Sequence, residues 1–389
     1  MLVPKLRFKE FESKYVEYKL KDIVDFYKGN ILSKSDIAVD GKIPCILYGE
    51  LYTKYSEITK FIISHTNNKS ENLFYSRVND VLIPCSGETA LDISTSTCVL
   101  LDNVALGGDL NVLRPKKYID GKYLSYLLSN KKRITIAKYA QGDSIVHLYA
   151  DKIKNISIIL PSLDEQQKVS FLLELLNKKI ELQQKKIEAL KMYKKGLLQK
   201  ILNLGEDKRK ISEILEEVIE KSTENNQYDV ISSTKDCLIL QKEYFNRSIA
   251  SENNAGYKIL KKNQIVLSPQ NLWMGNINYN DKYNIGIVSP SYKVFDIKEG
   301  YSKEYIASLL KTNRALYMYK ISSEQGASIV RRNLNIEAFY EITFKIPTLK
   351  EQIKYGNIIK EVNKKIDNMS NISNKLLDLK KGLLQKMFI

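Results

Sequence analysis

Histidine, cysteine and long apolar runs are scarce in this chain of 389 residues, and each scarcity excludes a class of protein. Two histidines, His65 and His147, are too few for a His-rich metal site. The four cysteines contain no CxxC pair, which favours reduced thiols over a disulfide framework. No stretch approaches the roughly 18 apolar residues of a membrane span or the apolar core of a signal peptide. We therefore expect a cytoplasmic protein without a metal or other cofactor.

Catalytic signatures are also missing. The sequence has no NPPY- or DPPY-type phrase for amine methylation and no GxxxxGK[S/T] loop for nucleotide phosphates. It has no GxSxG phrase and no convincing carboxylate-plus-lysine nuclease core. These absences favour a binding protein over an enzyme.

Positive charge is in clear excess. The chain has 61 Lys and Arg against 45 Asp and Glu, a net charge of +16 and a pI of about 9.3. This balance favours a polyanionic partner, with nucleic acid first and an anionic membrane surface second. A lysine-rich composition inherited from an AT-rich genome is the alternative interpretation.

An internal repeat organises the rest of the sequence. Residues 161–203 and 347–389 align without a gap at an offset of 186, with 17 identities in 43 positions. Each copy begins with a proline that is followed by acidic and glutamine residues, and this pattern is typical of a helix start. The whole unit repeats, because the phrases QGDSIV (141–146) and QGASIV (325–330) precede the two copies.

The long repeats have the pattern of a coiled-coil seam. Apolar residues recur at alternating spacings of three and four, and eight of ten seam positions in each copy are apolar or aromatic. We predict two long helices that pair antiparallel within the chain, with pairing to another protein as the alternative. The seam positions are Val169, Leu173, Leu176, Ile180, Gln183, Ile187, Leu190, Lys194, Leu197 and Ile201, then Tyr355, Ile359, Val362, Ile366, Met369, Ser373, Leu376, Lys380, Leu383 and Met387.

A mixed α/β domain precedes each long helix. Short β-type runs between turns fill residues 43–115 and 228–297, and a helical segment follows each region. Short helices are predicted at 18–30 and 209–222. The fold class is therefore α+β, with a pseudo-twofold internal repeat. The predicted boundaries are 1–157 for the first domain, 158–203 for the central helix, 204–343 for the second domain and 344–389 for the C-terminal helix.

Three kinds of phrase resemble those of a known family. PKLRFKEF at Pro4 resembles the opening of specificity (S) subunits of type I restriction–modification systems. PSLDEQQK and PTLKEQIK resemble the P-x-x-x-E-Q start of that family's two long helices, and KKGLLQKI and KKGLLQKMF resemble their ends. The resemblance covers the whole chain, and two copies at a constant offset make it specific.

The resemblance implies a division of labour. The α/β domains would be target recognition domains, each reading one half of an asymmetric bipartite site in double-stranded DNA. The helices would fix the gap between the halves and carry two methyltransferase (M) subunits, which restriction (R) subunits can join. The S subunit would direct adenine methylation and perform no chemistry itself. The alternatives are a coiled-coil adaptor that binds proteins and an enzyme with an unrecognised site.

Two sets of loops are the predicted DNA contacts. The repeated QG phrase suits contact with the DNA backbone or a turn that shapes the domain, because it hardly differs between the copies. CSGET (85–89) and SPQNLW (268–273) follow equivalent β-type runs and differ, as readers of different half-sites should. The predicted DNA-binding residues are Ser86, Gly87, Glu88, Thr89, Gln141, Gly142, Ser144, Gln270, Asn271, Gln325, Gly326, Ser328, Arg331 and Arg332.

Several residues have two interpretations on the sequence alone. Trp273 is either a core residue or a stacking surface at the DNA. The basic clusters Lys131–Lys132–Arg133 and Lys261–Lys262 either bind phosphate or are solvated. Gly196 and Gly382 indicate a close approach or a bend, unless they are only relics of the duplication.

Overall fold

The structure is a computed structural model that describes residues 3–142, 145–244, 253–325 and 332–389. The chain divides into two units. Unit 1 comprises Met1–Gln183 and Ile372–Ile389, and unit 2 comprises Gln184–Asn371. Each unit therefore holds one α/β domain, the first part of one long helix and the last part of the other.

Unit 1 is built from short strands and short helices that lead into the first long helix. A five-stranded sheet has the order β2-β11-β7-β9-β4, and a four-stranded sheet has the order β5-β3-β10-β6. The elements are β1 (Val16–Lys19), α1 (Leu20–Ile23), β2 (Val24–Lys28), β3 (Ile43–Ile46), α2 (Glu50–Thr53), β4 (Ile58–Thr59), β5 (Ser64–Thr66), β6 (Phe74–Tyr75), β7 (Val81–Pro84), β8 (Ser86–Gly87), β9 (Thr97–Val99), β10 (Ala105–Leu106), β11 (Leu110–Pro115), α3 (Gly121–Ser129), α4 (Arg133–Ala137), β12 (Val146–His147), α5 (Ala150–Ile153), β13 (Ser157–Leu160) and α6 (Leu163–Ile201).

Unit 2 repeats this plan over its described residues. Its largest described sheet has the order β15-β22-β19-β20. The elements are β14 (Asp207–Lys210), α7 (Ile211–Ile214), β15 (Leu215–Val218), β16 (Ile231–Ser233), β17 (Leu238–Leu240), α8 (Gln241–Tyr244), β18 (Lys258–Lys261), β19 (Ile265–Leu267), β20 (Ile277–Tyr279), β21 (Ile285–Val288), β22 (Lys293–Ile297), α9 (Lys303–Leu309), α10 (Asn313–Ile321), β23 (Ser323–Gln325), β24 (Arg332–Leu334), α11 (Ile336–Tyr340), β25 (Thr343–Ile346) and α12 (Leu349–Lys386).

The central strand pairing is the same in both units. In unit 1, β7 pairs antiparallel with β11, and Val81 lies opposite Leu113. In unit 2, β19 pairs antiparallel with β22, and Ile265 lies opposite Phe295. All four side chains are fully or almost fully buried. The apolar runs that the sequence predicts as strands therefore form the central strand pair of each unit, and the candidate loops follow β7 and β19 directly.

The predictions of a short helix at 18–30 and of another at 209–222 are wrong. Each segment forms a strand, one helical turn and a second strand, namely β1-α1-β2 and β14-α7-β15. The β1 strand pairs with β13, and β14 pairs with β25. Over so few residues the apolar positions fit both the helix period of 3.6 and the strand period of 2. The sequence could not decide between them, because β13 and β25, the strands that pair with β1 and β14, lie more than 130 positions away.

A glutamine explains the E-Q phrase at the start of each long helix. The Gln166 Oε1 accepts from the backbone N–H of Asp120 at 3.0 Å, and its Nε2 donates to the Pro161 carbonyl at 3.0 Å. The Gln352 amide makes the same two bonds, to the Ser302 N–H at 3.0 Å and to the Pro347 carbonyl at 2.9 Å. Each glutamine thereby joins the start of a long helix to the start of α3 or α9.

The two long helices run antiparallel. In unit 1, Val169 and Leu173 of α6 share a core with Leu384 and Met387 of α12. In unit 2, Ile201 near the end of α6 shares a core with Ile359 and Tyr355 near the start of α12. All twenty predicted seam positions are buried or half-buried. The mixed α/β fold with two long paired helices is confirmed.

The long-helix glycines lie in open space. A Cβ atom added to Gly196 or Gly382 would meet no described atom within 4 Å. Among the described residues nothing approaches these glycines closely, while a helix bend and the approach of another protein stay predictions. A glycine costs a helix about 1 kcal/mol relative to alanine, and no contact that a Cβ would make in the described part of the chain offsets this cost.

The N-terminal phrase packs on the start of α6. The Arg7 guanidinium binds the Glu165 carboxylate through two hydrogen bonds of 2.9 and 2.8 Å, and the Tyr15 hydroxyl donates to the same carboxylate at 2.8 Å. The Lys168 ammonium lies 4.9 Å from the Phe8 ring centroid. Glu165 is almost fully buried, so this charge is removed from water only because it is paired.

Candidate nucleic-acid interface

The QG phrase of unit 1 closes a tight hairpin. Gln141 and His147 exchange two backbone hydrogen bonds of 3.0 and 2.8 Å. Gly142 has φ of +123°, and a Cβ there would lie 2.2 Å from the Ile145 carbonyl oxygen. Only glycine fits this turn without strain. The turn interpretation is therefore correct for Gly142, and it leaves the exposed Gln141 free to contact a ligand.

The hairpin is joined to the CSGET loop. β12 pairs antiparallel with β8, and the Ser86 Oγ lies 3.0 Å from the His147 Nδ1. The Leu148 N–H donates to the Cys85 carbonyl at 2.8 Å. The sequence places these phrases about 55 residues apart, and the sheet brings them together. Two separately predicted contact regions thus form one surface.

The four predicted CSGET residues divide into two groups. Ser86 and Gly87 are buried in the β8–β12 pair, and a Cβ at Gly87 would lie 2.5 Å from the Ile93 Cγ2. Thr89 is exposed, and its hydroxyl donates to Asp92 at 2.6 Å. Glu88 is exposed, with no side-chain partner among the described residues. Ser86 and Gly87 shape the loop, and Glu88 is the group best placed to reach outward.

In unit 2 one described hydrogen bond links the equivalent loop to the strand that follows the second QG phrase. β23 pairs with β24, so that Gln325 lies opposite Arg332, and the Arg332 N–H donates to the Gln270 carbonyl at 3.3 Å. Gln270 is exposed and Asn271 is half-buried. Four predicted contacts lie outside the described residues, as does the side chain of Gln325; they are Ser144, Gly326, Ser328 and Arg331.

Arg332 braces the loop of unit 2. Its guanidinium donates to the Ser323 carbonyl at 2.9 Å and lies 5.9 Å from the Trp273 ring centroid. Trp273 is half-buried, so neither the core nor the stacking interpretation describes it fully. Both the Trp273 Nε1 and the Arg332 Nε are buried without a partner among the described residues.

The basic clusters are partly structural. Arg133 donates to the Leu91 carbonyl at 2.9 and 3.3 Å, which ties α4 to the loop that follows CSGET. Burial, and then the neighbouring Lys131, lowers the pKa of Lys132. Lys261 pairs with Glu220 at 2.6 Å, and Lys262 is exposed. Lys131 and Lys262 are therefore the cluster members best placed for a phosphate.

Sequence reasoning missed the apolar residues beside the hairpin of unit 1. Leu91, Ile134, Ile145 and Tyr149 are exposed around the joined loops, and the Tyr149 ring stacks on His147 with centroids 6.1 Å apart. Single apolar residues on a strand or helix end carry no sequence signal for exposure.

Neither a metal-binding group of side chains nor a membrane-spanning helix occurs in the described part of the chain. No group of three or more His, Cys, Asp or Glu side chains there is arranged to hold a metal ion. No described helix combines the length and apolarity needed to cross a membrane. Burial raises the pKa of Cys85 to about 12, so the thiol below the CSGET loop stays protonated near neutral pH.

Comparison with known proteins agrees with this geometry. A family model described as "Type I restriction modification DNA specificity domain" matches residues 12–192. The specificity subunit of the type I restriction enzyme MjaVIII from Methanocaldococcus jannaschii is 26% identical over 189 residues, which are 48% of this chain. The match covers 41% of that relative, so the chain spans less than half of its length.

Solved structures share the fold along the whole chain. The S subunit of a type I restriction–modification system from M. genitalium matches with a TM-score of 0.65 and 16% identity, covering 100% of this chain and 99% of that one. A chain from a structure on complex assembly and conformational transition of the type I R-M system matches with a TM-score of 0.53 and 12% identity, covering 97% and 98%. Residues 12–192 are therefore similar to the DNA specificity domain of type I restriction–modification systems, and the whole chain shares its fold with a solved S subunit of such a system.

Proposed function

We propose that this chain is a non-catalytic DNA-specificity subunit that reads an asymmetric bipartite site and directs M subunits to methylate adenine there. Each α/β domain, with boundaries 1–157 and 204–343, reads one half of the site. The helices, at 158–203 and 344–389, fix the gap. R subunits join the complex where the system includes them. The complex works in the cytoplasm, where the four free cysteines remain reduced.

One observation carries the proposal. In both units the backbone at or just after the repeated phrase is hydrogen-bonded to a loop whose sequence differs between the units. A shared phrase suits contact with the sugar–phosphate backbone, which is the same at every sequence. A differing loop, with Glu88 in one unit and Gln270 in the other, suits contact with base edges. The net charge of +16 supports a polyanionic ligand.

The outer face of α6 supports docking of M subunits. In unit 1, Phe171, Leu175 and Leu182 are each about half exposed or more. Their spacings of four and seven place them on one stripe, away from the buried seam. An amphipathic helix of a partner would cover this stripe. We assign the stripe to an M subunit, because the same rod must hold the methyltransferase close to the DNA.

The decisive experiment is methylome sequencing of a host that expresses the chain with its M partner. The expected result is adenine methylation at a two-part site with a fixed gap, and none when the chain is omitted. Methylation of a contiguous palindrome, or none in the presence of both proteins, would contradict the proposal. Methyl transfer by the purified chain alone would contradict its non-catalytic part.

The length of the helices gives a second test. Seven extra residues in each long helix, placed within 164–203 and 350–389, lengthen the rod by about 10 Å. The gap in the methylated site should grow while both half-sites stay unchanged. A changed half-site would show that the helices do not act as a spacer.

The adaptor alternative makes a different prediction for binding. DNA affinity that depends on phosphate contacts falls by orders of magnitude between about 50 and 200 mM salt. A protein adaptor with an apolar interface would lose far less of its affinity for its partner over that range. Measurement of specific DNA binding by the S–M complex at both salt concentrations separates the two.

A further inference from the structure

The surface beside the hairpin of unit 1 is unusually apolar for a face that we assign to DNA. Four side chains there are exposed by 47% to 60%, and we call them the apolar rim. Scattered apolar residues are normal on a protein surface, whereas a group around one loop cluster marks a contact surface. The members of the apolar rim are Leu91, Ile134, Ile145 and Tyr149.

Backbone contacts hold the apolar rim in place. The Arg133 guanidinium binds the Leu91 carbonyl, which brings the Leu91 loop to the start of α4, where Ile134 lies. Ile145 precedes β12, and β12 is paired with the CSGET loop. Leu91 and Ile145 therefore lie in the segments joined around the polar candidates, and Ile134 lies on the helix that is tied to the Leu91 loop. Tethering also means that the rim is preorganised and loses little entropy when it is covered.

Polar and cationic groups surround the rim. Glu88 and Gln141 are exposed on the joined loops, and Lys131 and Lys138 are exposed on either side of α4. An apolar centre with a cationic edge fits a DNA groove, because base edges line the floor of the groove and phosphates line its two sides. In the major groove the C5-methyl group of thymine is the apolar feature that bases present. Protein interfaces also have an apolar core and a polar rim, so it is the lysines at this edge, which can neutralise phosphates, that favour DNA.

We propose that the apolar rim reads thymine methyl groups in the half-site of unit 1, with Leu91 and Ile134 as the discriminating contacts. This inference rests on the proposed function and adds the chemical class of the bases that are read. Ile145 lies in the phrase that both domains share, so it contributes affinity at any sequence. Leu91 and Ile134 lie in segments that differ between the units.

The test combines a DNA change with a protein change. Once the methylated site is known, each thymine in both halves is replaced singly by deoxyuridine, which removes only the methyl group. Binding of the S–M complex is measured for the native chain and for Ile134→Ala and Leu91→Ala. With the native chain, at least one deoxyuridine in one half-site should weaken binding about fourfold, as burial of a methyl group requires. With the variant that lacks the contacting side chain, the same replacement should have no effect.

A matched control and the opposing outcomes complete the design. Val39→Ala removes a fully exposed apolar side chain beside β5, and the thymine-to-deoxyuridine ratio should stay at its native value. A site whose halves lack any methyl-sensitive thymine would overturn the inference. So would a variant that weakens binding equally with thymine and deoxyuridine, because the rim would then contact something other than the methyl. Both results leave site-specific methylation, and hence the proposed function, intact.

Discussion

The contact between each α/β domain and its long helix carries opposite charges in the two units. In unit 1, the Lys122 Nζ lies 3.2 Å from a Glu174 carboxylate oxygen, and Lys60 pairs with the same carboxylate. In unit 2, Glu304 and Lys360 occupy the equivalent positions with their signs exchanged, 2.9 Å apart. Both units therefore have complementary charges at this contact, and the cation lies on the α/β domain in unit 1 and on the long helix in unit 2.

Other equivalent positions differ in how far they are buried. Glu165 and Glu351 hold the same place on the two long helices. Arg7 and Tyr15 bury Glu165, whereas Glu351 is exposed and accepts hydrogen bonds from the N–H and hydroxyl of Thr348. One carboxylate is an internal ion pair and the other is an ordinary helix cap. The N-terminal segment, which has no counterpart in unit 2, creates the difference.

The largest predicted effect tests this difference in burial. Glu165→Ala leaves the Arg7 guanidinium and the Tyr15 hydroxyl without their buried partner, and should lower the free energy of unfolding of unit 1 by about 3 kcal/mol. Hydrogen exchange at the first turns of α6, measured against urea, reports this loss. Glu351→Ala removes an exposed cap and should cost no more than about 1 kcal/mol. Equal costs would mean that the N-terminal segment does not stabilise the helix start.

A second prediction concerns a position that is charged in one unit only. Ser129 and Lys311 lie in the equivalent phrases LLSN and LLKT. The side chain of each donates a hydrogen bond to a backbone carbonyl in a loop next to a strand. The Ser129 hydroxyl donates to the Ser96 carbonyl at 3.0 Å, and the Lys311 ammonium donates to the Lys235 and Gly275 carbonyls, both at 3.0 Å.

Burial lowers the pKa of Lys311 from 10.5 to about 8, an effect that Asp236 opposes and Lys194 increases. The unfolded chain therefore holds more protons than the native chain between pH 8 and 10.5, and the free energy of unfolding should rise with pH there, by about 3 kcal/mol in all. Urea titrations of the native chain and Lys311→Met across this range measure the contribution. Parallel pH curves for the two proteins would contradict it.

The third prediction addresses what the units share. Gln166→Leu leaves the buried Asp120 N–H unpaired, and Gln352→Leu does the same to the Ser302 N–H. Each change should cost about 1 to 2 kcal/mol, with similar values in the two units, because the geometry is the same. Thermal unfolding of both variants provides the measurement. A large inequality would show that the repeated glutamines have different roles.

The smallest effect tests the exchanged charges. Glu304→Lys and Lys360→Glu each bring like charges together and should each cost about 0.5 kcal/mol, since the pair is partly exposed. The double variant restores an ion pair in the arrangement found in unit 1 and should recover most of the loss. A double variant that behaves as the sum of its parts would remove the argument that complementarity is what the contact needs.

The sequence predicts the repeated parts of the fold well and the non-local parts poorly. Twenty seam positions follow from helix periodicity, because burial repeats every three and four residues. The strands at β7, β11 and β22 follow from short apolar runs between turns. The segment around α1 was predicted as a helix because its pairing with β13, more than 130 residues away, leaves no local signal.

The candidate site divides in the same way. The loops were identified because they repeat or differ at equivalent places in the sequence. The roles within them depend on the tertiary structure: Ser86 and Gly87 are buried by pairing with β12, and Arg332 is drawn inward to Trp273. The apolar rim gave no sequence signal, since exposure of an isoleucine depends on which strands and loops surround it.

The two lysines in the seam have a consequence for the helix pair. Lys380 lies near Glu57, with Nζ–O distances of 3.1 and 3.2 Å, and Lys194 lies near Asp367 in an environment whose burial lowers its pKa. A slip of one helix by seven residues would carry these ammonium groups away from their carboxylates, at a cost of several kcal/mol for each buried charge that loses its partner. The two lysines therefore favour a single register of the paired helices, and a fixed register gives the helix pair a fixed length.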